Sequence, residues 1–464
     1  MLFNSFIFIF GFLPVTYTVF WWLRTASHRY KWLALSGYVF YGYWDARFCL
    51  LMAFSTLVSY YAGLAFLRYQ EARLRRLALV IPICIDLSLL GFFKYAGFAL
   101  RSGQWLADSV GINARLPVFD VILPVGISFY TFHTITYIVD SYRGVIRPTN
   151  NLFEFSAYVS LFSQLVAGPI VRFRQIEGDL DSLGQAERAR WLLPGISFFV
   201  IGLVEKVLIA DSLASFVDPA FRDYAALSTA GAWLTMLAYS FQLYFDFCGY
   251  SDMAVGLGFF FGLRIPQNFN SPYKALNPSD FWRRWHISLS TCLRDYLYIP
   301  LGGNRKGELF TYRNMMLTML IGGLWHGANW TFVVWGGYHG LLLVAHRMAP
   351  RLWDALPKVA EQALMFVLVL VGWVFFRAPD FTTAGGVLRT MFTLSPGTLP
   401  DNSRVLVGFL VAAAYLAMVS RNAFELNTRR AWTGGWQTAM AVGFGACLAV
   451  MAGGRNSPFL YFQF

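Results

Sequence analysis

No charged side chain precedes Arg24. An uncharged stretch of 23 residues is long enough to cross a bilayer, whose hydrocarbon core takes about 20 mainly apolar residues. Comparable runs recur along the chain. They are continuous rather than alternating, which points to membrane helices and away from a barrel. A secretory signal needs a basic start and a short apolar centre, so Met1–Leu23 reads as a transmembrane helix that is retained. Only 13% of the 464 residues are charged, against about 25% in soluble domains, which leaves no room for a large soluble domain. The expected fold is all-α and polytopic, with about 11–13 transmembrane or re-entrant helices. No linker interrupts it, so 1–464 reads as one membrane domain: N-terminal helices over 1–230, a core over 231–347 and C-terminal helices over 348–464.

The loops set an orientation. Arg24, His28, Arg29 and Lys31 form a first basic loop, and Arg68 to Arg76 a second, with two apolar passes between them. Both belong at the cytoplasmic side, which places the N-terminus outside. Trp32–Trp44 is short for a span. Leu77–Leu100 carries Asp86 and Lys94 near one face and reads as holding a structural ion pair or a snorkelling lysine, with a polar loop over Arg101–Arg115 after it. Leu152–Val171, broken by Gln164, Gly168 and Pro169, reads as re-entrant. Arg172–Arg190 mixes charge signs and reads as a surface amphipathic helix with a turn. Tyr244–Leu263 holds Asp246 and Asp252 on either side of Gly249. It reads as a bent element whose carboxylates, in a structural or tunnel role, pair with basic residues of the following segment.

The net charge of +12 contains no Lys/Arg tract of the kind nucleic-acid binders carry, so it reads as positive-inside bias. Cys49, Cys84, Cys248, Cys292 and Cys447 have no C-x-x-C spacing and read as small buried residues; no metal site is expected.

Charge gathers between Arg264 and Arg313, where eight basic residues face three acidic ones. Asn277-Pro278-Ser279-Asp280 is a helix start, with Asn as N-cap and Pro at the first helical position. On a continuing helix Trp282, His286 and Leu289 share a face, and Arg283 and Arg284 project sideways. Beyond the Pro300–Asn304 turn, an apolar run leads to Trp325-His326-Gly327. An imidazole in a bilayer is costly unless it is hydrogen-bonded or lines a wet cavity. Asn329, three residues on, is placed to orient the His326 ring. Read alone, both histidines remain compatible with plain structural roles, and His28, His133, His339 and His346 read as structural. Metal ligation lacks further ligands at usable spacing, and no G-x-S-x-G elbow is present. A histidine base in a low-dielectric tunnel beside a basic mouth suits different chemistry. It could deprotonate a hydroxyl that attacks a thioester on a polyanionic carrier such as coenzyme A. A non-enzymatic anion transporter is the rival reading, though no repeated halves support it.

Five motifs in series carry a resemblance. They are Tyr244-Phe-Asp-Phe-Cys-Gly-Tyr-Ser-Asp252, Phe281-Trp-Arg-Arg-Trp-His-Ile-Ser288, Leu293-Arg-Asp-Tyr-Leu-Tyr298, Leu301-Gly-Gly-Asn304 and Gly323-Leu-Trp-His-Gly-Ala-Asn329. With Phe6-Ile-Phe8, Leu123–Tyr130 and the end Tyr461-Phe-Gln-Phe464, the chain resembles the membrane-bound O-acyltransferase family over its whole length, and its bacterial polysaccharide branch in particular. Cys248 and Cys292 depart from the Ser and Trp common there. The resemblance implies a central tunnel, His326 as the catalytic histidine and His286 as its polar partner. Trp285, Arg283, Arg284, Arg294, Asp295 and Asn329 are the candidate substrate-binding residues. It further implies an O-acetyltransferase of the bacterial inner membrane with acetyl-CoA as donor substrate and no permanently bound cofactor. The acceptor would be an exported polysaccharide such as alginate. Expected partners are a periplasmic or membrane-anchored SGNH-type acetyltransferase, the polysaccharide biosynthesis complex and membrane lipid. D-alanyl or another acyl group from a carrier protein is the alternative donor.

Overall fold

A computed structural model describes residues 1–112, 115–117, 121–429, 433–454 and 459–460. The described residues form helices and no strand, save an isolated parallel bridge between Leu227 and Thr398. Five of these helices are long and apolar enough to cross a membrane: Arg47–Arg68, Ala72–Ser109, Arg188–Arg222, Lys358–Arg377 and Gly434–Ala452. Ile7–Trp22 and Ser403–Val419 are shorter apolar helices. The protein is a helical polytopic membrane protein. Its chain divides into two compact units, 1–192 with 257–266, and 193–256 with 267–464.

In the first unit, buried polar groups correct three readings. The second helix runs over Ala26–Asp45, a full 20 residues, and takes in His28, Arg29 and Lys31, which the charge pattern assigns to a loop. Thr25 caps it, accepting from the His28 N–H. Arg29 is buried because its guanidinium donates to the Leu23 carbonyl (2.9 Å) and to the Leu183 carbonyl, and lies 4.9 Å over the rings of Phe20 and Trp21. A charge met by carbonyls and ring faces does not need a loop. Ala72–Ser109 is one helix through a π-helical turn at Gly91–Tyr95, so most of the expected Arg101–Arg115 loop is helical. Asp86 accepts from Ser55 Oγ and Thr134 Oγ1, both at 2.7 Å, while Lys94 donates to Ser128 Oγ at 3.3 Å. Hydroxyls from adjacent helices therefore meet the Asp86 carboxylate in place of Lys94. The Leu152–Val171 segment is two short helices, Leu152–Val159 and Phe162–Leu165, followed by buried irregular backbone, as a re-entrant element requires.

The second unit carries the motifs. Helix α1 (Arg188–Val204) passes through a π-helical turn, Glu205–Ala210, into Asp211–Arg222. Helix α2 (Thr229–Phe260) is 32 residues long and unbroken, which corrects the bent element expected around Gly249. Gly249 serves close approach instead. A Cβ there would lie 2.6 Å from the carbonyl oxygen of Gly202 in α1 and 2.9 Å from the backbone nitrogen of Lys206 in the π-helical turn that follows. Small residues let membrane helices cross at backbone distance. Helix α3 (Pro278–Arg284) starts as its sequence specifies: Asn277 Oδ1 accepts from the Asp280 N–H at 2.8 Å. Helices α4 (Ile287–Leu293), α5 (Glu308–His326), α6 (Trp330–Met348), α7 (Lys358–Arg377) and α8 (Ser403–Ala414) follow. Helices α5 and α6 touch through Gly323 and Gly336, where a Cβ on Gly323 would lie 3.0 Å from the Gly336 Cα. Phe459 stacks on Tyr250 at 4.7 Å, and residues 461–464 lie outside the described residues.

Candidate active site

Helix α3 stops at Arg284. Trp285 is extended, and His286 adopts the left-handed conformation (φ 43°, ψ 55°) before α4 begins. The single face expected for Trp282, His286 and Leu289 is therefore not formed. A histidine rarely takes positive φ, and such residues persist where surrounding contacts hold them. Here Asn268 holds it. Its Oδ1 accepts from the Ser288 N–H (3.3 Å) and the Ser288 hydroxyl (2.8 Å), and its Nδ2 donates to Ser251 Oγ (3.1 Å). A backbone N–H can only donate, so the atom it meets is the amide oxygen. That oxygen also lies 3.1 Å from His286 Nδ1. The proton therefore sits on Nδ1, and Nε2 carries a lone pair. His286 is fully buried, and Nε2 has no hydrogen-bond partner among the described residues.

His326 ends α5, and Gly327 leaves in extended conformation. The carbonyl end of a helix favours positive charge, as a histidine acquires when it takes a proton. The two imidazole centroids are 6.3 Å apart. Trp335 stands edge-on to the His326 ring at 5.1 Å, Phe376 at 5.4 Å, and Phe247 edge-on to His286 at 4.7 Å. Residues 40 positions apart thus form a buried imidazole pair walled by aromatic rings.

The other candidates divide. Trp285 is buried beside His286, stacked on Phe281 (5.7 Å) and close to Trp373 (4.9 Å). Arg284 is engaged by Asp280 (2.9 Å) and the Asn270 carbonyl, Arg294 by its neighbour Asp295 (2.7 Å), and Arg283 is exposed. Asn329 does not orient His326. It caps α6, accepting from the Thr331 N–H and donating to the Pro379 carbonyl at 2.7 Å. Because α5 ends at His326, the helical spacing assumed between the two residues does not exist.

Neither Asp246 nor Asp252 forms an ion pair with the following basic segment among the described residues; Asp246 pairs with a lysine earlier in the chain. Lys206, in the π-helical turn after α1, donates to Asp246 (2.5 Å) and Asp211 (2.6 Å), all three buried, and Asp246 also accepts from the Leu460 N–H (2.9 Å). Asp252 lies with Glu205 and Cys248, their ligand atoms within 4.8 Å of one another. These three are the one group of potential metal ligands among the described residues. Sequence reasoning missed Glu205, Lys206 and Asn268; the only signal for Asn268 is a polar stretch, Gln267–Asn270, ahead of the histidine motif. Asn268→Ala is expected to lower transfer about tenfold at unchanged protein level, since a buried N–H without its acceptor costs about 1–3 kcal/mol. Acyl-transfer rates in membranes normalised to protein content test this, and an unchanged rate would remove Asn268 from the site.

Fold and site together define a polytopic helical membrane protein with a buried histidine pair able to move a proton out of contact with water. The sequence profile of the membrane-bound O-acyltransferase family matches residues 119–378. The chain belongs to this family, and it is an acyltransferase. It is 45% identical over 427 residues to a probable alginate O-acetylase of Azotobacter vinelandii, covering 90% of this chain and 84% of that protein. It is 43% identical over 437 residues to a probable alginate O-acetylase of Pseudomonas aeruginosa, covering 92% and 82%. A peptidoglycan O-acetyltransferase of Helicobacter pylori is 40% identical over 443 residues, covering 88% and 83%.

Proposed function

We propose that this protein is an inner-membrane O-acetyltransferase. It takes acetyl from acetyl-CoA at the cytoplasmic face and passes it outward for O-acetylation of an exported polysaccharide, alginate first among candidates. The observation that carries the reading is the buried His286–His326 pair, one of whose rings has a fixed tautomer and a lone pair at Nε2. In the proposed step His326 takes the proton of the acceptor hydroxyl. The oxygen attacks the thioester carbonyl carbon, the carbon–sulfur bond breaks, and the proton passes to the departing thiolate. His286 Nε2 accepts a hydrogen bond from a second donor of the bound substrates, such as a neighbouring hydroxyl of the acceptor or an amide N–H of the donor, and so holds the reacting group in place. The names of the two alginate relatives support the acceptor class, and that of the Helicobacter relative makes peptidoglycan the second candidate. An SGNH-type partner outside the membrane would complete delivery to the sugar, within the polysaccharide biosynthesis complex.

Purified protein in proteoliposomes, given acetyl-labelled coenzyme A on one side, tests donor and direction together. Thiol release with label recovered as ester on the opposite side is the expected result. No release above protein-free vesicles, or label taken only from a D-alanyl or other acyl carrier protein, overturns the donor assignment.

A further inference from the structure

Away from the histidine pair, α2, α7 and α8 enclose an apolar groove of about 460 Å³. Leu237 and Phe241 of α2, Phe366 and Gln362 of α7, and Leu410 and Val411 of α8 line it. Two of its three walls, the Lys358–Arg377 and Ser403–Val419 segments, are apolar helices of the membrane region. Cations gather at the end formed by the start of α7 and the end of the Ser403–Val419 segment. Lys358 immediately precedes the lining residue Val359. Arg421 follows Met418, also in the lining, by three residues. Lys274 joins them, its Nζ donating to the Ser420 carbonyl at 2.5 Å. Gln362 ties the same end together by donating to the Tyr273 carbonyl at 2.9 Å. Trp353 anchors there too, its indole N–H on the Leu276 carbonyl at 2.6 Å, as indoles do at the membrane–water boundary.

Lys358 and Arg421 are exposed, and neither they nor Lys274 has an ion-pair partner among the described residues. Of the nearby carboxylates, Glu425 accepts from the Asn422 N–H, while Asp354 and Glu361 make no ion pair with these cations. An apolar trough that opens on uncompensated cations at its end matches one amphiphile: an apolar chain with a negative head.

We propose that the groove holds one phospholipid with an anionic headgroup, its acyl chain along Leu237, Phe366 and Val411 and its phosphate against Lys358 and Arg421. The bound chain lies behind the active site. The Phe366 and Phe241 rings pack on Tyr273 at 5.0 and 5.8 Å, and Tyr273 stacks on Trp285, the residue before His286.

The test uses the full chain, stripped of lipid in mild detergent and titrated with phosphatidylglycerol or phosphatidylcholine of identical chains, with bound lipid read by native mass spectrometry. Wild type is expected to bind phosphatidylglycerol at least tenfold more tightly. Lys358→Gln with Arg421→Gln removes two charges and is expected to weaken phosphatidylglycerol about thirtyfold and leave phosphatidylcholine unchanged. Ala414→Trp, which fills the groove but keeps both cations, is expected to weaken both lipids. Equal affinity of wild type for the two lipids overturns the proposal even if a variant fails to fold. An unchanged preference in the double variant, or full binding with the groove filled, also overturns it.

Discussion

His326→Ala lowers acyl transfer by a factor of about 10²–10⁴, the range contributed by a positioned general base. The protein still reaches the membrane. The ring is buried against Trp325, Trp335 and Phe376, and these side chains retain their contacts with one another (Trp335 lies 5.1 Å from Phe376) when the imidazole is removed. His326→Gln is the sharper variant. It keeps bulk and hydrogen bonding but cannot accept and return a proton at neutral pH, so it is expected to be as inactive as alanine. Ester content of the acceptor polymer, together with protein level in isolated membranes, reads both variants. Transfer within twofold of wild type by a protein present at wild-type level would dismiss His326 as the base, and with it the proposed step.

Lys206→Met has the largest expected effect on the fold. The Lys206 ammonium lies between Asp211 and Asp246, and all three side chains are at most 2% exposed. Removing the one cation leaves two carboxylates buried without it, at a cost of about 3–5 kcal/mol. The loss falls where α1 and α2 cross at Gly202 and Gly249, so it undoes the crossing rather than a surface contact. Thermal unfolding of the purified protein should show a marked fall in midpoint. Asp246→Asn in the same chain should recover part of it by removing one of the stranded charges. A variant as stable as wild type would show that the pair contributes nothing net, as happens when desolvation cancels attraction.

The membrane class and the Asn277 cap were legible because each rests on local chemistry: uncharged length and a capping side chain. His286 and His326 stood out as imidazoles in or beside apolar runs, and the structure brings their rings to 6.3 Å. What escaped rests on partners distant in sequence. Gly249 between two carboxylates has the pattern of a helix break, yet it is a contact point, and only the facing backbone of Gly202 distinguishes the two. Arg29 has the pattern of a loop charge because the Leu183 carbonyl that satisfies it is 154 residues away. Spacing put His286 on the same helical face as Trp282. The left-handed turn that separates them depends on Asn268, 18 residues earlier. The same reliance on unbroken helical spacing misplaced Asn329.

Helix α2 has a mechanical consequence. Thirty-two residues at about 1.5 Å each make a rod of about 48 Å, where the hydrocarbon slab is about 30 Å thick. A straight rod of that length lies well off the membrane normal or stands proud of the slab. Its middle third carries Asp246, locked to Lys206, and Phe247, whose edge lies against His286. A tilt of the rod in response to bilayer thickness would therefore reach the His286 imidazole through one phenyl ring.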